Sequence, residues 1–279
     1  MASRVQSDAR GPVERVEPSP ERWVRVRGVV SPSSFHARRS SDSARTELLE
    51  SIVVACGRVE RPVVVFDLDG TLLDNRPRVT RIFHELAEFW SIRHPDAAEK
   101  CARVRDEHIV YGVIDNLVRA GIDDEALHRE GLQFWRDRFF YDAYIRYDVE
   151  VPGARSFVRA CFEAGASIVY LTGRDLPNMA LGTLASLRDL DFPIGVVGTS
   201  LVLKPAFEVA DSEFKNAVAP SISRIGNVVA SFDNEPANCN LFLDHHPEAR
   251  SVLLDTHHAP NPPPLDDRAA VIDSFLRHG

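Results

Sequence analysis

This chain of 279 residues has few cysteines, fewer basic than acidic residues, and no long apolar run. The four cysteines lie far apart without a CxxC pair, so we expect neither a disulfide framework nor a structural zinc site. No stretch of about 18 apolar residues is present, which excludes a membrane-spanning helix. Lys and Arg number 33 against 41 Asp and Glu, and the net charge of −8 argues against binding to nucleic acid or anionic membranes. The cysteine usage favours a reducing compartment, so we expect a cytoplasmic protein.

Large apolar residues are also sparse over residues 1–45, where nine Arg, nine Ser and four Pro are found. Nine basic against five acidic residues give this segment a charge of +4 and leave −12 for the remainder. Such a segment buries too little apolar surface to offset its chain entropy, so we predict a disordered tail. The apolar patch at 23–30 leaves an added edge strand open as an alternative.

Beyond residue 46, apolar runs of strand length alternate with helical patterns. The runs lie at 63–66, 167–171, 194–197, 227–232 and 251–254. The helical patterns lie at 47–57, 153–164, 176–189, 211–219, 235–243 and 266–277. Continuous apolar runs separated by helices are typical of a parallel sheet with both faces covered. We predict a Rossmann-like, doubly wound α/β core formed by residues 46–75 and 151–279.

One interval, residues 76–150, interrupts this alternation. It contains no convincing buried strand, but it carries three apolar stripes with helical spacing, at 79–90, 109–118 and 127–139. We predict an all-helical subdomain whose aromatic residues mainly pack its own core. The subdomain follows the first strand, where the loops of a parallel sheet carry function.

The first strong strand ends in two carboxylates, Asp67 and Asp69, at the edge where such sheets bind ligands. Like charges this close repel one another unless a cation lies between them, so the pair predicts a hard divalent metal with oxygen ligands. Gly70 and Thr71 follow in a tight turn whose amide groups are suited to holding an anion.

Two further strands end in polar residues. The strand at 167–171 leads into Thr172 and Gly173, where a hydroxyl and adjacent amides suit phosphate oxygens. The strand at 227–232 leads into Asp233, which offers another carboxylate to a metal. Between them stand Lys204 and Lys215, either of which could pair with a carboxylate and a phosphate.

Together these segments resemble the haloacid dehalogenase superfamily of hydrolases. The four motifs of that superfamily occur in order, as FDLDGTLLD at 66–74, YLTGRD at 170–175, the lysine of DSEFK at 211–215, and SFDNE at 231–235. The resemblance covers roughly residues 60–255. The helical interval at 76–150 is placed as in members with a C1-type helical cap.

The resemblance implies roles for individual residues. Asp67 would be the nucleophile that forms an aspartyl-phosphate, and Asp69 would protonate the leaving oxygen and then deprotonate water. Thr172 and Lys215 would hold the transferring phosphoryl group. The further phosphate contacts implied are Gly70, Thr71 and Gly173.

The resemblance also implies a Mg²⁺ cofactor, held by the Asp67 carboxylate, the Asp69 backbone carbonyl and Asp233. In this superfamily a second acid usually follows at a fixed offset, but here Asn234, Ala237 and Asn238 stand at those positions. Glu235 is the nearest acid, so the residue that completes the metal site stays open. We prefer Lys215 to Lys204 as the motif lysine because it precedes the strand of the fourth motif.

The favoured function is a Mg²⁺-dependent phosphomonoesterase acting on a small phosphorylated metabolite. Asp69 favours this over a dehalogenase because alkoxide leaving groups need an acid and halides do not. A phosphotransferase, a dehalogenase and a weakly active or non-catalytic phospholigand-binding protein remain alternatives. The sequence does not distinguish a monomer from a homodimer.

Several other polar residues are interpreted as structural. The pairs His245-His246 and His257-His258, each near an aspartate, resemble metal ligands, but we interpret them as loop residues. Arg174 is left open between a functional role and helix capping, and Asp175 is read as a helix cap. A last set could touch a substrate, but we interpret its members as packing or hinge residues: Tyr141, Tyr144, Arg146 and Tyr147.

Overall fold

The computed structural model describes residues 35–277. Its eight strands are β1 (Pro62–Phe66), β2 (Leu73–Asp74), β3 (Val149–Glu150), β4 (Ser167–Asp175), β5 (Thr199–Lys204), β6 (Asn227–Asp233), β7 (Arg250–Leu254) and β8 (Ala270–Ile272). Six of them form one sheet in the order β5-β4-β1-β6-β7-β8, and every neighbouring pair is parallel. The predicted α/β core with a parallel sheet is confirmed.

The helices lie at α1 (Asp42–Cys56), α2 (Arg76–Trp90), α3 (Pro95–Ala102), α4 (Val113–Arg119), α5 (Glu125–Phe139), α6 (Asp142–Ile145), α7 (Ala154–Glu163), α8 (Leu176–Asp189), α9 (Asp211–Val218) and α10 (Pro236–His245). Short 3-10 helices lie at His36–Arg38, Asp106–His108 and Ala219–Arg224. Within residues 35–277 no helix is both long and apolar enough to cross a bilayer.

The central strand β1 is buried on both faces, as its continuous apolar sequence predicts. Val64 and Phe66 belong to a cluster that includes Phe157 of α7, whereas Val63 and Val65 belong to another with Phe214 of α9. Alternate side chains of a strand point to opposite faces, so one short segment joins two hydrophobic layers. This burial holds the end of β1, and the residues that follow it, in a fixed position.

Five helices, α2 to α6, lie between β2 and β3, and we call residues 76–148 the helical insert. The two short strands pair antiparallel, with Leu73 opposite Glu150, so the chain leaves and re-enters the core at one place. The insert has its own apolar cluster, in which Trp90 and Leu117 are fully buried. Helix α3 was not predicted, and the second apolar stripe becomes helical only from Val113.

Two predictions in the core are wrong. The helix predicted at 266–277 is not formed; the chain there contains β8, which pairs with β7 at the edge of the sheet. The strand predicted at 194–197 lies instead at β5, because Gly195 and Gly198 both adopt positive φ and turn the chain before the strand begins.

The predicted tail is partly corrected. Residues 1–34, including the patch at 23–30, lie outside the described residues, but residues 35–45 are ordered against the core. Arg38 donates to three backbone carbonyls, of Leu265, Asp266 and Ala269, at 3.0 Å each. Arg45, only 4% exposed, donates to the Asp273 carboxylate. The basic residues of this segment therefore dock it onto the C-terminal part of the core.

Candidate active site

Two carboxylates meet at the carboxyl edge of the sheet because β1 and β6 are parallel neighbours. Asp67 directly follows β1, its amide donates to the carbonyl of Phe232 at 2.9 Å, and Asp233 ends β6. Both residues are buried. Parallel strands place their carboxyl ends at one edge, so neighbouring strand ends bring these acids together.

Lys215, on α9, connects the two acids. Its Nζ donates to Asp67 Oδ1 at 2.8 Å and to Asp233 Oδ2 at 2.7 Å, and it is 3% exposed. Burial opposes the charge on Lys215, but Asp233 and Asp67 outweigh it and raise the pKa of the ammonium above its usual range. Burial raises the pKa of Asp67 to about 7, although Lys215 counteracts this. The lysine is thus a permanent cation between two buried acids.

The other candidate lysine does not reach these acids. Lys204, at the end of β5, pairs with Asp211 at 2.8 Å and donates to the carbonyl of Val209 at 2.9 Å. The structure therefore brings Lys215 and not Lys204 to the carboxylates, in line with the preference drawn from the sequence.

Asp69 takes part in a buried network of two acids and two arginines. Arg174 donates to both of its carboxylate oxygens, at 2.7 and 2.9 Å, and Arg78 Nη2 lies 2.5 Å from Oδ1. Both arginines also pair with the fully buried Asp148, at 2.7 and 2.8 Å. We call Asp69, Arg78, Asp148 and Arg174 the quartet. Arg78 and Asp148 belong to the helical insert, so the quartet joins insert and core.

The quartet controls the charge of Asp69. Burial would raise the pKa of Asp69, but Arg174 and Arg78 outweigh it and hold that pKa well below its usual range. Burial raises the pKa of Asp148 to about 6 against the same arginines. In this arrangement Asp69 is an ionised carboxylate that holds no proton to donate, and the two arginines that keep it ionised also lower its basicity.

The turn after Asp67 is tightly built. Thr71 is buried and donates its hydroxyl to Asp67 Oδ2 at 3.2 Å. The amides of Gly70 and Thr71 donate to the carbonyls of Leu73 and Leu68 within the turn. These amides are used internally, so the phosphate contacts predicted for Gly70 and Thr71 stay predictions that the hydrogen bonds do not support.

The second motif lies beside this turn, on β4. Thr172 is buried, and its hydroxyl accepts from the amide of Arg174 at 3.2 Å. Gly173 lines the cavity described below, whereas Thr172 does not. A Cβ at position 173 would lie 2.5 Å from the Asp211 carboxylate, so only glycine lets that carboxylate lie this close to the backbone without moving. Asp175 caps α8 by accepting from the amide of Asn178, as predicted.

The fourth motif places an amide where a second acid is usual. Asn238 Nδ2 donates to Asp233 Oδ1 at 3.0 Å, and the amide of Glu235 donates to the same oxygen at 2.9 Å. Glu235 accepts from the amide of Ala259, and burial raises the pKa of its carboxyl to about 7. Glu235 therefore lies at the site and not away from it.

A cavity of about 360 Å³ opens onto these groups. Asp67, Asp69, Lys215 and Glu235 line it, together with apolar residues of the insert and a proline-rich loop after β7. This volume is at the small end of the range of about 300–1,000 Å³ seen for small-molecule sites. The cavity therefore suits a compact organic ligand that reaches Asp67.

The acids fit a hard cation. Asp67 and Asp233 share one ammonium, so two negative charges meet one positive charge, and Glu235 adds a further acid nearby. Oxygen donors with excess negative charge are what Mg²⁺ requires, and Mg²⁺ commonly keeps waters or substrate oxygens beside one or two carboxylates. Within residues 35–277 no three His, Cys, Asp or Glu side chains converge as a metal-binding group.

The histidine pairs are separate from these acids. His246 contacts the carbonyl of Ala219, and the exposed His245 lies 3.3 Å from the side chain of Asn216. His258 contacts the backbone of Ala259, whereas His257 lines the cavity. The interpretation as loop residues thus needs one amendment, at His257.

Sequence reasoning missed the two insert members of the quartet. Arg78 follows the first motif by a few residues, and Asp148 stands just before the chain returns to the core. The available signal for Arg78, which is fully buried, was its position four residues before Ile82, on the same helix face as the apolar stripe. For Arg174 the structure shows a contact that the sequence does not predict, because its guanidinium lies on Asp69.

Known proteins provide an independent comparison. A family model described as haloacid dehalogenase-like hydrolase matches residues 62–219. Protein Tyrosine Kinase A (PtkA) of Mycobacterium tuberculosis aligns with a TM-score of 0.50 and 14% identity, over 78% of this chain and 95% of that one. A comparison with curated proteins found no match.

Two further solved structures align with lower TM-scores. CbbY from Rhodobacter sphaeroides, in complex with phosphate, aligns with a TM-score of 0.42 and 15% identity, over 77% of this chain and 94% of that one. A class C acid phosphatase from Bacillus anthracis with tungstate bound aligns with a TM-score of 0.41 and 16% identity, over 75% and 66% respectively.

Proposed function

Because the chain belongs to the haloacid dehalogenase-like hydrolase family, we propose that it is a Mg²⁺-dependent phosphomonoesterase acting on a small phosphorylated compound. The observation that carries the proposal is the ammonium of Lys215 held between the buried carboxylates of Asp67 and Asp233. A fixed cation beside a carboxylate at a cavity floor can hold a transferring phosphoryl group next to its acceptor.

Asp67 is the proposed nucleophile. One of its oxygens attacks phosphorus, the bond from phosphorus to the leaving oxygen breaks, and an aspartyl-phosphate forms. Thr71 and Lys215 each bind one carboxylate oxygen and so fix the direction of attack. Lys215 also favours the ionised form of Asp67, whose pKa burial raises to about 7.

Asp69 is the proposed base of the second step. It accepts a proton from the water that attacks the aspartyl-phosphate, and inorganic phosphate leaves as Asp67 is restored. Its ionised state, maintained by Arg174 and Arg78, leaves it without a proton and so able to take one, although the same two cations lower its basicity. Protonation of the leaving oxygen by Asp69 stays a prediction, and both guanidinium groups oppose it. Leaving groups that are stable as anions, such as p-nitrophenolate, therefore depend least on a proton from Asp69 in the first step.

Asp67, Asp233 and the backbone carbonyl of Asp69 are the proposed ligands of Mg²⁺. The cation would supply positive charge to the phosphoryl oxygens. Because the site offers a single carboxylate pair, with the amide of Asn238 bonded to Asp233, water or substrate oxygens would complete its coordination.

The proposal is tested by hydrolysis of p-nitrophenyl phosphate with and without Mg²⁺. We expect Mg²⁺-dependent release of phosphate by the native chain and a loss of at least about a hundredfold in Asp67→Asn, which keeps the shape but removes the nucleophile. Lys204→Met is the control, since Lys204 lies outside the cavity lining. Equal activity of Asp67→Asn and the native chain would contradict the proposal.

The Asp69→Asn variant distinguishes a phosphatase from the alternative functions. A phosphatase should lose turnover in Asp69→Asn, because water then lacks its base, whereas a dehalogenase should tolerate that change in its first step. Accumulation of phosphoryl-enzyme in Asp69→Asn would place the residue in the second step. A phospholigand-binding protein would bind phosphate without Mg²⁺-dependent turnover of any ester.

A further inference from the structure

The cavity is lined by two chemically different groups of residues. The core supplies its charged groups, among them Asp67 after β1 and Lys215 of α9. The insert supplies almost only apolar side chains, and prolines of the loop after β7 add to them. We call the insert residues of this lining the apolar wall; those used here are Ile109, Val110, Trp135, Phe139 and Phe140.

The apolar wall is held in place by its own aromatic contacts. Trp135 stacks on Phe139 with ring centroids 4.5 Å apart, and Phe139 meets Phe140 edge-on at 5.0 Å. Phe140 in turn contacts Phe207 of the core at 5.0 Å. Packing of this kind fixes aromatic rings in defined positions, so the wall is a preformed surface.

Two side-chain amides at the wall are already engaged. The side-chain amide of Asn116 accepts from the amide of Val110 at 2.7 Å and donates to its carbonyl at 2.9 Å. Asn75 donates to Asp69 at 3.3 Å. A ligand hydroxyl placed against this wall would lose its water without gaining these partners, which is unfavourable.

The cations of the lining are also paired. Lys215 contacts Asp67 and Asp233, and Arg174 contacts Asp69 and Asp148. These two residues are the only lysine or arginine in the cavity lining among the described residues. Burial lowers the pKa of His257, which leaves that ring neutral at pH 7. A second anionic group on a ligand would therefore find no counterion outside the phosphate position.

We propose that the site selects phosphate monoesters of uncharged, apolar alcohols, with an aromatic or branched aliphatic group against the wall, and disfavours esters that carry a second anionic group. The proposal rests on the phosphomonoesterase function proposed above. Apolar contact of one such group corresponds to a preference of about tenfold or more in kcat/KM.

The test compares three esters of primary alcohols, so that the leaving oxygen is chemically alike. These are 2-phenylethyl phosphate, glycerol 1-phosphate and the phosphate ester of 3-hydroxypropanoate. We expect kcat/KM to fall in that order, with about tenfold or more between the first and the second. A native chain that prefers the glycerol or the carboxylate ester would overturn the proposal.

A matched pair of variants locates the preference in the wall. Ile109→Lys places a cation in the cavity lining, so it should weaken the phenylethyl ester and strengthen the carboxylate ester. Ile92→Lys makes the same change at a position that is 92% exposed, and it should leave the order unaltered. The same shift in both variants would contradict the assignment to the wall.

Binding separates this inference from the proposed activity. Calorimetry with 2-phenylethylphosphonate and 3-phosphonopropanoate, neither of which can be hydrolysed, measures selection without turnover. Tighter binding of the first compound, with no ester hydrolysed, would support ligand selection by the apolar wall and contradict the proposed phosphatase activity. Hydrolysis of all three esters without preference, or equal or reversed binding of the phosphonates, would reject the wall.

Discussion

At the scale of single residues, the two buried lysines show how position decides the role of a charge. Lys215 serves two buried acids at the cavity, whereas the partner of Lys204, Asp211, is half exposed. An ammonium between two buried carboxylates is indispensable, because its removal leaves like charges facing each other without water. Lys204 lacks that arrangement.

We predict that Lys215→Met destabilises the fold by about 3–5 kcal/mol and lowers turnover at least about a hundredfold. Lys204→Met should lose less stability and keep turnover near that of the native chain. Urea denaturation and steady-state kinetics on both variants provide the comparison. Equal losses of turnover would show that the contact with Asp67 has no special role.

Gly70 combines a backbone conformation that favours glycine with a crowded Cβ position. It has φ of +80°, and an added Cβ would lie 2.4 Å from Asn234 Nδ2. Gly195 has a similar φ of +72°, but an added Cβ there would meet nothing within 4 Å. The two glycines therefore separate backbone strain from crowding.

We predict that Gly195→Ala costs about 1–2 kcal/mol from its backbone conformation alone. Gly70→Ala should cost at least about 1 kcal/mol more, because the side chain of Asn234 must move. Chemical denaturation measures both changes. Equal costs would mean that Asn234 adjusts freely and that the turn is looser than its contacts indicate.

At the scale of elements, the quartet links the helical insert to the acid beside the nucleophile. Arg78 of α2 also donates to the carbonyl of Phe139 at 3.0 Å and lies over its ring, so it connects two insert helices with Asp69. The position of the insert and the charge of Asp69 are therefore coupled through one guanidinium group.

A double-mutant cycle on Arg78→Met and Asp148→Asn tests this coupling. Because the pair is buried, we expect each single change to destabilise the fold and the two to be non-additive, by about 0.5–3 kcal/mol. The exposed helix pair Arg103 and Glu99 is the control, with an expected coupling of about 0.3–0.5 kcal/mol. Additive effects at Arg78 and Asp148 would contradict a cooperative quartet.

At the scale of the whole molecule, the sequence predicts what depends on local pattern. The apolar run before Asp67 predicts β1, and parallel strand ends predict that Asp67 and Asp233 meet. The helix expected at 266–277 was wrong because a short apolar segment can be helix or strand, and here pairing with β7 decides. Arg78 and Asp148 are distant in sequence, so their meeting depends on how the insert folds back on the core.

The proposed nucleophilic role of Asp67 is tested most directly by locating the residue that is phosphorylated during turnover. The native chain is mixed with Mg²⁺ and p-nitrophenyl phosphate, and the reaction is quenched in acid. The protein is then digested, and the peptide masses are measured by mass spectrometry. We expect one phosphoryl group on the peptide that contains Asp67, and none in Asp67→Asn. A phosphoryl group on another residue, or undiminished turnover by Asp67→Asn, would contradict it.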